Sequence, residues 1–115
     1  MKNTTVIGRE GEDRAVEFLE KQGIEIHSRN YHSRYGEIDI IAIENDILAF
    51  IEVKTRKSTD FGTASEYVTP KKQQKIIKTA TLFLMETDLD LQPRFDIIEV
   101  YKTKINYIKN AYECM

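Results

Sequence analysis

Hydrophobic and polar positions change period along the chain, and each change marks an element. From about Arg9 to Gln22 apolar residues recur at helical spacing: Ala15, Val16 and Leu19 share a stripe with Glu12, and Gly23 is a natural stop. Residues 1–7 read as a loose start. Ile24-Glu25-Ile26 alternates as a first strand, and Asn30 to Gly36 reads as a polar connection spotted with aromatic residues. Two apolar runs follow, roughly 37–43 and 47–54, largely apolar on both faces and so expected to be covered on both. Lys57 to Tyr67 reads as a loop. Thr69-Pro70 predicts a helix start, with Thr as N-cap and Pro at the first helical position. That helix is expected to reach Met85, with Gln73, Ile76, Ile77, Ala80, Phe83 and Leu84 on its buried stripe. Asp88 to Pro93 reads as a loop. Arg94 to Tyr101 alternates as a fourth strand, and a turn at Lys102-Thr103 leads to a short last strand over Ile105 to Ile108. The predicted order is α-β-β-β-α-β-β, an α/β fold with a mixed sheet and helices packed on it.

Charge interrupts the two apolar runs. Glu37 and Asp39 stand in the first, Glu52 and Lys54 in the second. Ionised groups are costly to bury without a partner or a metal, so these positions call for a chemical reason. Asn45-Asp46 suits a tight hairpin turn. A loop of two or four residues centred there sets Asp39 opposite Glu52 and Glu37 opposite Lys54, with Cβ atoms about 5 Å apart. A loop of three would send one strand's side chains to the other face. In the first register the four charges share a face with Ile41, Ile43, Leu48 and Phe50, and Ile38, Ile40, Ala42, Ile47, Ala49, Ile51 and Val53 occupy the other. Two carboxylates so close resist joint ionisation unless a cation neutralises them. Oxygen donors favour a hard divalent ion, Mg2+ or Mn2+.

Composition narrows the class. The chain has 115 residues, enough for a single domain over 1–115, with ordinary hydrophobic content and a net charge of -2. That balance argues against a generic basic nucleic-acid binder, although local basic patches remain. The single cysteine, Cys114, excludes an intrachain disulfide and fits a reducing cytoplasm. No stretch is long and apolar enough to span a membrane, and no signal-peptide core stands at the N-terminus. His27 and His32 show no zinc spacing.

Taken in order, Gly8-x-x-Gly11-Glu12, Asn30-Tyr31, Gly36-Glu37-Ile38-Asp39, Phe50-Ile51-Glu52-Val53-Lys54-Thr55-Arg56, Phe61-Gly62, Val68-Thr69-Pro70-Lys71-Lys72-Gln73 and Arg94-Phe95-Asp96 resemble one bacterial family, the YraN-like proteins. Those are related to Holliday junction resolvases of the PD-(D/E)XK nuclease superfamily. Ile38 stands where the name-giving proline would. The resemblance implies a restriction-endonuclease-like fold and a metal-dependent endonuclease acting on DNA, with branched DNA among its substrates. It implies Asp39 and Glu52 as metal-binding acids, the Val53 carbonyl as third ligand, Glu12 as the helix acid reaching the metal, Lys54 beside the attacking water and Gln73 as a helix polar group at the site. From the residues themselves, Arg29, His32, Arg34, Arg56, Lys57 and the helical face Lys71, Lys75 and Lys78 are expected to hold phosphates, and Tyr31 and Tyr35 to stack on exposed bases. A homodimer or a protein partner fits such an activity. The alternative is a non-catalytic nucleic-acid-binding or protein-interaction module on the same fold.

Overall fold

The computed structural model describes residues 4–56 and 68–113, with side chains from Arg9 onward. Seven elements follow one another: α1 (Thr4–Lys21), β1 (Glu25–His32), β2 (Glu37–Glu44), β3 (Ile47–Thr55), α2 (Pro70–Glu86), β4 (Gln92–Tyr101) and β5 (Lys104–Tyr112). The order is the expected α-β-β-β-α-β-β. The predicted loop over Lys57 to Tyr67 and Cys114 lie outside the described residues.

The five strands form one sheet in the order β1-β2-β3-β4-β5. All neighbours are antiparallel except β3 and β4, which run parallel because α2 carries the chain back across the sheet between them. Asn45 takes the left-handed conformation in the β2–β3 turn, at φ 56°. Thr69 caps α2 by accepting from the Lys72 N–H at 3.2 Å, and Pro70 opens the helix. Gly23, at φ 80°, ends α1.

A core lies on each face of the sheet. Against α1 pack Ile24, Ile40, Ala42, Ala49, Ile51, Ile98 and Val100, joined by Ala15 and Leu19 of that helix. Against α2 pack Ile38, Ile41, Leu48, Phe50, Phe95 and Ile97, joined by Ile76, Ala80 and Phe83.

Three elements differ most from their predicted extent. The helix α1 begins at Thr4, inside the expected loose start. Strand β1 runs on to His32 through Ser28, Arg29 and Asn30, which are polar because β1 is an edge strand with much of its side-chain surface in solvent. Strand β5, the other edge, runs to Tyr112 where a strand ending at Ile108 was expected.

Candidate metal and nucleic-acid site

The β2–β3 hairpin keeps the predicted register as far as Ile40, which faces Ile51, and there its ladder ends. Strand β2 also loses its alternation at this point. Ile38 lies in the α2 core and Ile40 in the α1 core, whereas strict alternation would place both on one face. The expectation of four charges on one face is corrected accordingly. Asp39 turns into the gap between the strands, where its Oδ2 accepts the Val53 N–H at 2.8 Å. Glu37 does not meet Lys54; it pairs across the sheet with His32 in β1, at 3.9 Å.

On the α1 side, Asp39, Val53 and Glu37 line a cavity of about 550 Å³ with Arg9, Glu12, Arg29, Asn30 and Thr55. Glu12 projects from α1 into this wall. Its Oε1 accepts from Asn30 Nδ2 at 3.0 Å and from Arg29 Nη2 at 3.2 Å. Arg29 also binds Asp13, at 2.7 Å, so this predicted phosphate ligand acts here as the clamp on the helix acids.

On the α2 side, Glu52 is mostly buried. Its Oε1 meets Lys54 Nζ at 3.2 Å and also meets Lys72, which reaches across from the first turn of α2. Its Oε2 is buried and accepts no hydrogen bond. Sequence reasoning gave Lys72 no role. A signal was available, since lysines in a helix's first turn oppose its dipole, and α2 carries no acid there to balance them.

Electrostatics follow from this crowding. Burial pushes the Asp39 carboxyl up to about 6; the Val53 N–H opposes the shift, and the negative charges of Glu52, Glu12 and Glu37 add to it. Burial also pulls the Lys54 ammonium down, with Lys72 beside it pulling the same way against Glu52.

The other predicted residues fall in three places. Gln73 donates from Nε2 to the Val68 carbonyl at 3.0 Å, tying α2 to the chain before it. Arg56 is drawn to the fully buried Glu99, Nε to Oε2 at 3.1 Å. Arg34, Lys71, Lys75 and Lys78 come together around Tyr35, in a separate groove. Tyr31 is engaged through its hydroxyl with Glu86 at 2.8 Å and edge-on with Phe83 at 5.2 Å.

The donors available to a metal are hard oxygens: the Asp39 and Glu52 carboxylates and the Val53 carbonyl, which by strand geometry points to the same side as the N–H that Asp39 holds. The unpartnered Glu52 Oε2 and the raised Asp39 carboxyl are what a site lacking its cation would leave, so these residues fit a divalent ion.

The model of the uncharacterised protein family UPF0102 matches residues 11–100. The chain belongs to that family. This is the YraN-like family whose motifs its sequence carries. Among relatives, a UPF0102 protein of Persephonella marina is 47% identical over 107 residues, covering 92% of each chain. One from Flavobacterium psychrophilum is 44% identical over 110 residues, again covering 92% of each chain. One from Caldanaerobacter subterraneus is 42% identical over 118 residues, covering 96% of this chain and 97% of its own. Among the described residues no helix is long and apolar enough to cross a membrane.

Proposed function

We propose that this UPF0102 protein is an Mg2+- or Mn2+-dependent endonuclease that hydrolyses DNA phosphodiester bonds, with branched DNA among its substrate shapes. The observation that carries the reading is the buried, unpartnered Glu52 Oε2 together with an Asp39 carboxyl raised by burial and by neighbouring acids, at the point where the two strands part. Asp39, Glu52 and the Val53 carbonyl would hold the ion. When bound, it supplies a Lewis acid for the phosphoryl oxygen and lowers the pKa of a water. Lys54 places a fixed positive charge where negative charge grows on the phosphorus oxygens. Glu12, held by Arg29 and Asn30, orients water on the α1 side of the gap. Gln73 holds the chain before α2 in place, through Val68.

The test is cleavage of single-stranded, duplex, flap and four-way-junction DNA with Mg2+ or Mn2+, for wild type, Asp39→Asn and Lys54→Ala. Cleavage by wild type alone is expected. Equal cleavage by all three would assign the activity to a contaminant and sink the reading.

A second reading has its own observation. Among the described residues no group of three or more His, Cys, Asp or Glu side chains gathers as a metal site, and two lysines already neutralise Glu52. A nucleic-acid-binding or protein-interaction module with a structural Lys54–Glu52–Lys72 triad would look the same. Calorimetric titration with Mn2+ separates the two: unchanged metal binding in Asp39→Asn would favour the module.

A further inference from the structure

A second concave surface lies on the α2 side, a groove of about 320 Å³ lined by Arg34, Tyr35, Lys71, Gln74, Lys75 and Lys78. Four of those six residues are cationic and none is acidic. Lys71, Lys75 and Lys78 recur at i, i+4 and i+7, so they form one stripe along α2, while Lys72 points away from it to Glu52. None of these three has an ion-pair partner among the described residues. By contrast Lys54, Lys72, Arg29, Arg56, Arg94 and Lys109 are all paired with acids. In a chain of net charge -2, a cluster of unneutralised cations is a local exception.

The groove is built rather than fortuitous. The turn that presents Arg34 and Tyr35 is closed by Ser33 N–H to the Gly36 carbonyl at 2.8 Å and by Tyr35 N–H to Ser33 Oγ at 3.0 Å. Ser33 Oγ also bonds Thr79 Oγ1 at 2.8 Å, and Thr79 is fully buried in α2. Gly36 comes so close to the helix that a Cβ there would lie 3.8 Å from the Lys75 Cβ. The turn is thereby fixed against the lysine stripe. Tyr35 is occupied by cations, not offered to bases: the Arg34 guanidinium lies 4.9 Å from its ring centroid and donates to its hydroxyl at 2.9 Å, and Lys78 Nζ lies 5.3 Å from the centroid.

We infer that this groove is a sequence-independent cradle for the phosphodiester backbone of a nucleic-acid strand leading to the Asp39–Glu52 site. The inference rests on the nucleic-acid reading above but not on catalysis. Lys71 in the groove and Lys72 on Glu52 are adjacent residues, so the lysine stripe begins in the same turn of α2 that reaches the site. Point charges and an arginine held on a ring grip phosphates and leave base edges unread.

Fluorescence anisotropy with labelled duplex and single-stranded DNA of unrelated sequences, in EDTA across a salt series, tests this. The proteins are wild type, Lys71→Gln/Lys75→Gln/Lys78→Gln, and a control with the same charge change elsewhere, Lys21→Gln/Lys102→Gln/Lys104→Gln. Each phosphate contact contributes about 0.9 to the slope of log K against log salt on duplex and about 0.7 on a single strand. The groove variant should therefore lose about 2.7 of slope on duplex or about 2.1 on single strand, and the control should keep the wild-type slope. A groove variant with the wild-type slope, or a control that loses as much, overturns the cradle, as does absence of binding by wild type at low salt. Salt-dependent binding without cleavage would uphold the cradle and count against the endonuclease alone.

Discussion

Asp39 stands where β2 would otherwise offer a backbone acceptor, and its carboxylate takes the Val53 N–H in that acceptor's place. Asparagine can keep this bond and discard the charge. Because the Asp39 carboxyl is raised from 3.8 to about 6, stability falls as pH rises between those values in metal-free buffer, and the whole loss is present above about 6. Asp39→Asn is thus expected to be at least as stable as wild type at pH 8 in EDTA, and Asp39→Ala to lose about 1–3 kcal/mol by leaving the N–H unpaired. Urea unfolding of the three proteins decides between these outcomes. Asp39, Glu52 and Lys54 could be picked out in the sequence because charge inside an apolar run is expensive. The Glu37–Lys54 pairing failed because no pattern in β2 announces that its ladder stops at Ile40. Lys72 escaped notice because a lysine on a partly exposed helix looks like solvated surface until the strand opposite it is known.

Elements meet at two tight places. Gly11 of α1 lies against β3, where an added Cβ would fall 2.5 Å from Thr55 Oγ1. Threonine is stiff about χ1, so the hydroxyl does not turn aside cheaply. Gly11→Ala is expected to cost about 1–3 kcal/mol through overpacking. Gly11→Ala/Thr55→Ala should recover that loss and add part of the roughly 1 kcal/mol by which alanine favours a helix over glycine; a thermodynamic cycle of the four proteins measures the coupling.

The second place is the far end of the sheet. Fully buried Asp96 accepts from Arg94 Nε at 2.9 Å, the Tyr107 hydroxyl at 2.6 Å and the Asn110 N–H at 2.9 Å. Arg94 also reaches Glu44 of β2 at 3.0 Å. Arg94→Met, which strands a buried carboxylate, should cost about 3–5 kcal/mol in denaturant unfolding. Glu44 adds a pH dependence. The bond from Lys109 holds its carboxyl below the ordinary 4.5, and Arg94 adds to the effect. Its contribution is present above pH 4.5 and lost as pH falls below it, so the gap in melting temperature between wild type and Glu44→Gln should close on acidification. The order of elements was legible because central strands and amphipathic helices have clear periods. The ends of β1 and β5 were not, because an edge strand carries polar residues on surfaces that nothing covers.

The whole sheet divides at its one parallel pair. On one side β1, β2 and β3 form a meander of neighbouring segments; on the other β4 and β5 form a hairpin. Both assemble from local contacts, whereas β3 and β4 meet only after α2 has crossed between them. Charged contacts bridge this division, from Arg56 to Glu99 and from Arg94 to Glu44. Local pairings close faster than distant ones, because less chain entropy is lost before contacts form. Until β4 docks, the run Ile47–Val53 keeps one edge open, with only Glu52 to break its apolar sequence. Such an edge is a template for another chain. Refolding yield from urea should therefore fall as protein concentration rises, and a synthetic peptide spanning β4 should restore it. The connection that brings the parallel strands together also sets a kinetic hazard: during every folding event, the strand that carries Glu52 and Lys54 is the one most open to aggregation.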